Sequence, residues 1–426
     1  MDRNELRSYI QDETVNRWVT AGYFGYGLIG MGVGKSKIMA MAIIKYLENH
    51  PEFDYQKYDY PILIVVNSST LRDTEIPKEL KKWKVTVKVK VVCYQTAYRW
   101  TDKKIGILLT DELDFAITEG QRYLQLFHKC VYDAWLGLTG TLIEGKEAAT
   151  QALFGRSPFI EFPLSKAQEM GLLNKTEIWI HEVPLYTHKT VNAPYGESSK
   201  YKWISKKIIE LKVAISSIYD YFKSHRGISF DENLRLNADL NELKSKKEFW
   251  ESRKSNPNNR MQMMHSAESL SNYARILKDI ILKDPNNKVI IFAELTSEVD
   301  LVANYCYHGK KSDDDIIDKL NSGEISELGV VRKVNRGVNF AGLNHAIIHS
   351  YTSSVTNASQ AYIGRMVRLE PDQIARIHFL VSYYMDNGEK VYCQNHSWIC
   401  SIFSSRELEH LRLHYYDTKE LLNYIK

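Results

Sequence analysis

Five consecutive apolar residues, Ile62-Leu63-Ile64-Val65-Val66, follow Pro61, and no other stretch restricts the fold as tightly. An alternating run would bury one face of a strand, whereas a continuous β-branched run asks for cover on both faces. Comparable runs stand at Val85 to Cys93 and Ile105 to Thr110, separated by helix-like segments through residues 1–160. That rhythm predicts a parallel sheet between two layers of helices, an α/β domain. It returns at Lys288 to Phe292, Gly329 to Val331, His345 to Tyr351 and Ile377 to Ser382, with Ser297-Glu298-Val299-Asp300 capping the helix after the first of these. At 426 residues the chain exceeds what one core usually serves, so a second α/β unit is the natural reading.

Between the two lie stretches of other character. A polar, Pro-containing segment at Pro158–Leu173 reads as a connector. Residues 197–285 read as long, lysine-rich helices, interrupted near Gly227 and at Asn256-Pro257-Asn258-Asn259. The tail from Ser404 reads as a charged helix with Leu408, Leu411 and Tyr415 on one stripe, packed on the second domain. A net charge of +4 permits a nucleic-acid partner without demanding one. Five scattered cysteines, never spaced C-x-x-C, argue for a reducing compartment and against a disulfide framework or zinc finger. With a charged N-terminus and no long apolar run, the expectation is a cytoplasmic protein that neither enters nor crosses a membrane.

Two motifs carry chemistry. Gly30-Met31-Gly32-Val33-Gly34-Lys35-Ser36 lies between Leu28-Ile29 and the helix-like run from Lys37 to Leu47. Glycines let backbone N–H groups turn inward round a polyphosphate, the helix start adds its dipole, the lysine reaches the β/γ-phosphates and the serine meets Mg²⁺. A plain glycine-rich turn is the alternative, because Ile29 stands where the first glycine of the full pattern belongs. Asp111-Glu112-Leu113-Asp114 follows the apolar run Ile105–Thr110 directly. Carboxylates at the C-terminal end of a parallel strand sit at the crevice where such sheets bind ligands, one holding Mg²⁺ and its neighbour accepting a proton from water. A charged turn after a strand is the other reading.

In combination these residues resemble motifs I and II of the superfamily 2 helicases and translocases, and further segments resemble the rest in order. Leu6-Arg7 and Gln11 resemble the upstream residues that meet the adenine region. Ile62 to Asn67 with Ser68 and Ser69 resembles motif Ia, and Cys93-Tyr94-Gln95-Thr96 motif Ib. Leu138-Thr139-Gly140-Thr141 resembles motif III, and Ala167 to Leu172 the connector after the first domain. Val289 to Ala293 resembles motif IV, and Val334-Asn335-Arg336-Gly337-Val338-Asn339 motif V, with Asn339 where many members have aspartate. Gln360-Ala361-Tyr362-Ile363-Gly364-Arg365-Met366-Val367-Arg368 reproduces the motif VI pattern Q-x-x-G-R-x-x-R.

The resemblance implies two tandem RecA-like domains, each a parallel sheet with flanking helices, and a helical insert before the second sheet. Residues 1–163 would form the first domain, 164–185 a connector and 186–426 the second, with the insert at 197–285. It implies Lys35, Glu112, Arg365 and Arg368 as catalytic, with ATP held by Arg7, Gln11, Gly32, Gly34, Lys35, Ser36, Asp111, Gly337 and Gln360. Ser36 and Asp111 would carry Mg²⁺, and Ser68, Thr96, Thr139 and Thr141 would couple the site to nucleic acid. The expected activity is ATP-dependent movement along DNA or its remodelling. The chain most resembles bacteriophage-encoded helicases related to those that remodel branched DNA, which implies a monomer working in the host-cell cytoplasm with replication or recombination proteins as partners. An RNA helicase, the motor subunit of a restriction complex and an inert ATP-binding scaffold are the alternatives.

The insert interleaves lysines with Tyr201, Trp203, Tyr219, Phe249 and Trp250, which suits either a nucleic-acid groove or a solvated helical arm. The pairs His345/His349 and His410/His414 read as packing or surface histidines rather than metal ligands. No Ser-His-Asp or Cys-His arrangement can be argued.

Overall fold

The computed structural model describes residues 2–30, 32–69, 71–118, 121–140, 146–225, 227–251, 259–309, 315–331, 340–354, 358, 362–366, 369–370, 372–405 and 408–417. Two sheets organise them. The first comprises β1 (Phe24–Ile29), β2 (Tyr60–Val66), β3 (Lys90–Cys93), β4 (Lys104–Asp111), β5 (Val131–Thr139) and β6 (Ile160–Phe162), in the order β3-β2-β4-β5-β1-β6. Every pairing in it is parallel. The apolar runs explain why. Ile62, Ile64 and Val66 of β2 face one hydrophobic cluster, while Leu63 and Val65 face another on the opposite side. Helices α1 (Arg3–Thr20) and α2 (Lys35–Asn49) cover the first face through Leu6, Ile10, Trp18, Ile38 and Ile43.

The second sheet comprises β7 (Lys175–Pro184), β8 (Val289–Ala293), β9 (Cys306–Tyr307), β10 (Glu327–Val331), β11 (His345–Ile348), β12 (Ile374–Asp386), β13 (Glu389–Tyr392) and β14 (Leu413–Asp417). Its order is β14-β7-β12-β11-β8-β10-β9, with β13 antiparallel to β12. Together the two sheets are the tandem RecA-like architecture that the motifs imply.

Several elements differ from the expectations. The run Val85 to Cys93 forms a strand only from Lys90, where the β2 register pairs Leu63 with Lys90. In that register Pro61, which has no N–H to give, falls opposite Lys88, and the ladder stops. Strand β7 lies inside the stretch 164–185 assigned to a connector and belongs to the second sheet, paired with β12 from Lys175 to Pro184. Its alternation of Thr176, Ile178 and Ile180 inward is a strand signal hidden among charged residues. The tail from Ser404 does not continue as a helix. Leu408 and Leu411 are buried in a turn, and Leu413–Asp417 adds a parallel strand to β7, with the His414 ring stacked on Trp179 at 4.9 Å. The free edge of β7 and an aromatic sequence favour strand over helix there.

The stretch 197–285 divides in two. Helices Glu197–Ser224 and Phe230–Glu251 form a hairpin rooted at Tyr201, Ile204 and Ile208. Beyond Ile208 the first helix buries nothing, and the second buries only Leu240. Helix Glu268–Ile281, by contrast, lays Leu270, Tyr273, Ala274, Leu277 and Ile281 into the main core and is part of the second domain's covering layer.

A polar line runs through the core of the second sheet. The hydroxyl of Tyr273 lies 2.8 Å from His181 Nδ1, His181 Nε2 lies 2.9 Å from His378 Nδ1, and His378 Nε2 lies 3.0 Å from His345 Nδ1. The three histidines lie on the adjacent strands β7, β12 and β11, each offset two residues from the next, so the line runs diagonally across one face of the sheet. Burial holds all three below the usual imidazole range, His181 to about 3 and His345 to about 4, so they are neutral at pH 7.

Candidate active site

The glycine-rich loop leaves β1 and enters α2, as the sequence reading requires. Gly34 is the residue before α2 and has a left-handed backbone, φ 99°. A Cβ there would stand 2.6 Å from Gln11 Nε2, so both backbone and space call for glycine. Gln11, buried on α1, donates from that same nitrogen to the Val33 carbonyl at 2.7 Å and fixes the loop. No side chain caps the start of α2, which leaves its first N–H groups facing the loop.

Strand β4 ends in Asp111, opposite Leu138 of β5. Glu112 follows with φ 49°, a left-handed conformation in a residue with a full side chain. The turn aims Glu112 at Lys35, whose Nζ lies 3.0 Å from Oε1 with both side chains largely buried. Burial acts to lower the Lys35 pKa, but Glu112, Asp111 and Asp114 outweigh it, and the ammonium titrates above its usual range. Because Leu138 faces Asp111, the next residue, Thr139, reaches Asp114 and donates to its Oδ1 at 2.7 Å. This buried bond ties the end of β5 to the acidic turn. Tyr94 adds a hydroxyl that donates to the Asp111 carbonyl at 3.1 Å.

Lys35, Asp111 and Glu112 open onto a cleft of about 1320 Å³ between the two sheets, which Asp114, Thr139 and Tyr94 do not line. From the first domain it is lined by Arg7, Gln11, Gly32, Gly34, Lys35, Ser36, Asn67, Asp111 and Glu112; from the second by Phe340, Ala341, Gly342, Gly364 and Arg365. Arg365 is buried, on a single helical turn Gly364–Met366. Ser68 and Thr96 do not line the cleft. The Ser68 hydroxyl accepts the Leu71 N–H at 3.3 Å, and Thr96 is exposed on the turn after β3. Gly337, Gln360, Arg368 and Thr141 lie outside the described residues, as does Asn339.

The cleft walls suit a polar occupant. Asn67 Nδ2 and Oδ1, Arg7 Nε and Gln11 Oε1 are buried and have no hydrogen-bond partner among the described residues. Burial, and then the neighbouring Arg3, lower the Arg7 pKa. A buried polar atom left unpaired costs about 1–3 kcal/mol, so a partner with matching donors and acceptors would be held there. Ser36 and Asp111 supply the hard oxygen ligands that Mg²⁺ prefers. Sequence reasoning had no signal for Asn67 as a cleft wall, for the Phe340–Gly342 segment, or for Asp114 as the partner of Thr139. One group elsewhere, Asp300, Cys306 and His308, brings metal-ligating atoms together among the described residues. His308 Nε2 already lies 3.2 Å from Asp300, and the Cys306 thiol points at the carbonyls of Ala303 and Val299, so no metal is needed to satisfy them.

Among the described residues no helix is long and apolar enough to cross a membrane. No match to the sequence is found among curated proteins. Residues 272–370 match the helicase conserved C-terminal domain, and they include β8, β10, β11 and Arg365. The fold is similar to that of Dbp5 from S. cerevisiae, solved bound to RNA and ADP BeF3, at 10% identity and a TM-score of 0.52, covering 98% of this chain and 93% of that one. The helicase domain of Hef from Pyrococcus furiosus is similar at 15% identity and a TM-score of 0.45, covering 88% of this chain and 95% of that one. Residues 272–370 thus carry a helicase conserved C-terminal domain, set across the cleft from the glycine-rich loop of the first sheet.

Proposed function

We propose that this chain is an ATP-driven motor that moves along or remodels DNA. The observation that carries the proposal is the shared cleft, in which the Lys35–Glu112 pair of the first domain and Arg365 of the second line one space. ATP entering there gives Lys35 a stronger partner than Glu112. Lys35 turns to the β/γ-phosphates, and Glu112, released, orients the attacking water and takes its proton. Ser36 and Asp111 would hold Mg²⁺, which neutralises phosphate charge when bound. Arg365 meets the γ-phosphate from the far wall, with Arg368 three residues on in the motif. Thr139 carries any shift of the acidic turn into β5 through its bond to Asp114. Closure and opening of the two domains then move the strand contacts stepwise.

The choice of DNA rests on the compactness of the chain, the Arg7/Gln11 start and the Ala167–Leu172 connector, which resemble bacteriophage helicases of replication and recombination. Dbp5, whose fold is similar, was solved with RNA, and this keeps RNA as the second reading. Steady-state ATPase measured in parallel with single-stranded, duplex and forked DNA and with RNA separates them. The proposal expects stimulation by DNA, greatest with forks. Stimulation by RNA alone would replace DNA with RNA, and hydrolysis indifferent to all four would remove the motor reading.

A further inference from the structure

The turn that carries Arg365 is held from two directions by side chains outside it. Asn174, fully buried just before β7, donates from Nδ2 to the Met366 carbonyl at 3.1 Å and accepts the Leu369 N–H on Oδ1 at 3.1 Å. Arg3, on α1 of the first domain, donates from Nη2 to the Leu369 carbonyl at 3.0 Å and from Nη1 to Glu370 at 2.9 Å. Its Nε donates to the Leu172 carbonyl at 3.0 Å. The same helix fixes the phosphate loop through Gln11. One helix therefore touches both walls of the cleft, and one buried amide grips the backbone at Met366 and Leu369, just C-terminal to Arg365.

We propose that Asn174 and Arg3 are positioning residues for Arg365: they clamp the backbone at Met366 and Leu369 and the side chain of Glu370, and so set where the guanidinium stands relative to the phosphate loop. The proposal rests on the reading of Arg365 as the group that meets phosphate across the cleft. A guanidinium stabilises a transferring phosphoryl group only in register with it, and a displacement of about 1 Å costs on the order of 100-fold in rate. The Met366 carbonyl is one residue from Arg365, so loss of the Asn174 amide acts where small shifts matter most. The Arg3 clamp links the segment to the first domain and transmits the same constraint between domains.

The test compares kcat for ATP hydrolysis, ADP affinity and Tm in Asn174→Ala, Asn174→Asp, Arg3→Ala, Arg3→Lys and Arg365→Ala, together with the double variant Asn174→Ala/Arg365→Ala. Asn174→Ala should lower kcat by roughly 10- to 100-fold with ADP affinity within about twofold. Asn174→Asp keeps an acceptor for Leu369 but loses the donor to Met366, and should give an intermediate loss; it also serves if Asn174→Ala does not fold. Arg3→Ala should lower kcat by a smaller factor, partly restored by Arg3→Lys. The double variant should be no slower than Arg365→Ala alone, because a positioning residue has nothing left to position. Normal kcat in both Asn174 variants, or a double variant slower than Arg365→Ala by the full Asn174 factor, would overturn the proposal in favour of a purely structural amide. A normal rate in Arg365→Ala would instead remove the reading of Arg365 itself.

Discussion

Glu112 occupies a backbone region that L-residues enter at a cost of about 1–2 kcal/mol, and it does so beside the lysine it faces at 3.0 Å. Strain of this kind persists where the surroundings over-determine it, here β4 on one side and the Lys35 ammonium on the other. Replacing Glu112 with Gln keeps the shape and removes the base. ATP should still bind, and turnover should fall by on the order of 100- to 10,000-fold in a single-turnover assay. Lys35→Ala should abolish measurable hydrolysis and weaken nucleotide binding as well, because the same ammonium meets the phosphates; a fluorescent-nucleotide titration beside the ATPase assay checks both. Thr139→Val deletes a buried hydroxyl bond and leaves Asp114 one donor short, at about 1–3 kcal/mol, which a shift in urea midpoint would register. That Lys35, Glu112 and Arg365 come to one cleft was legible in the sequence through the order of the motifs. The bond of Asp114 to Thr139, the place of Asn67 on the cleft wall and the bonds of Asn174 to Met366 and Leu369 were not, because each depends on how distant segments come together, and no local spacing encodes that.

At the level of elements, the continuous apolar runs announced β2, β4 and β8 because burial on both faces leaves a pattern with no polar interruptions. Strand β14 escaped notice for the opposite reason. Its Tyr415 was counted with Leu408 and Leu411 toward a helical stripe, and the deciding factor, the open edge of β7, lies more than 200 residues upstream. The histidine line makes a prediction at this scale. Three imidazoles held neutral by burial bind protons less readily folded than unfolded, so the unfolded chain takes up more protons below about pH 6.5, the ordinary imidazole pKa. Their contribution to stability is therefore complete above pH 6.5 and is lost as pH falls from there toward 4 and then 3. Each contributes a slope of about 1.4 kcal/mol per pH unit over that range. Tm measured between pH 8 and pH 5 should fall, and His345→Gln, at the end of the line, should flatten the fall.

For the whole molecule, the prediction concerns communication between the two sheets. Arg365→Ala should keep most nucleotide affinity and lose hydrolysis, since the first domain supplies the phosphate loop and the second only the group that completes the site. Binding of nucleic acid should weaken steeply with salt, by a logarithmic slope of roughly 0.7 per phosphate contacted on a single strand, because motor contacts are made largely to the backbone. Removing the hairpin beyond Ile208 should weaken DNA binding and spare basal ATPase; unchanged affinity would mark the hairpin as a solvated arm.

The hairpin has a mechanical side as well. Its first helix leaves the body after Ile208 and ends at Ser224, so the free shaft is roughly 24 Å long at 1.5 Å per residue. Its root is pinned to the second domain by Lys202 on Asp386 and by the Tyr201 hydroxyl, which accepts the N–H of Gln394. A shaft so mounted turns with its domain. A rotation of about 15°, typical of rigid-body switching, would carry the tip through roughly 6 Å. That is close to two rises of a nucleic-acid strand, about 3.4 Å each. On the motor reading proposed above, a modest rotation at the root would thereby be geared up, at the far end of the lever, to about two of the polymer's own steps.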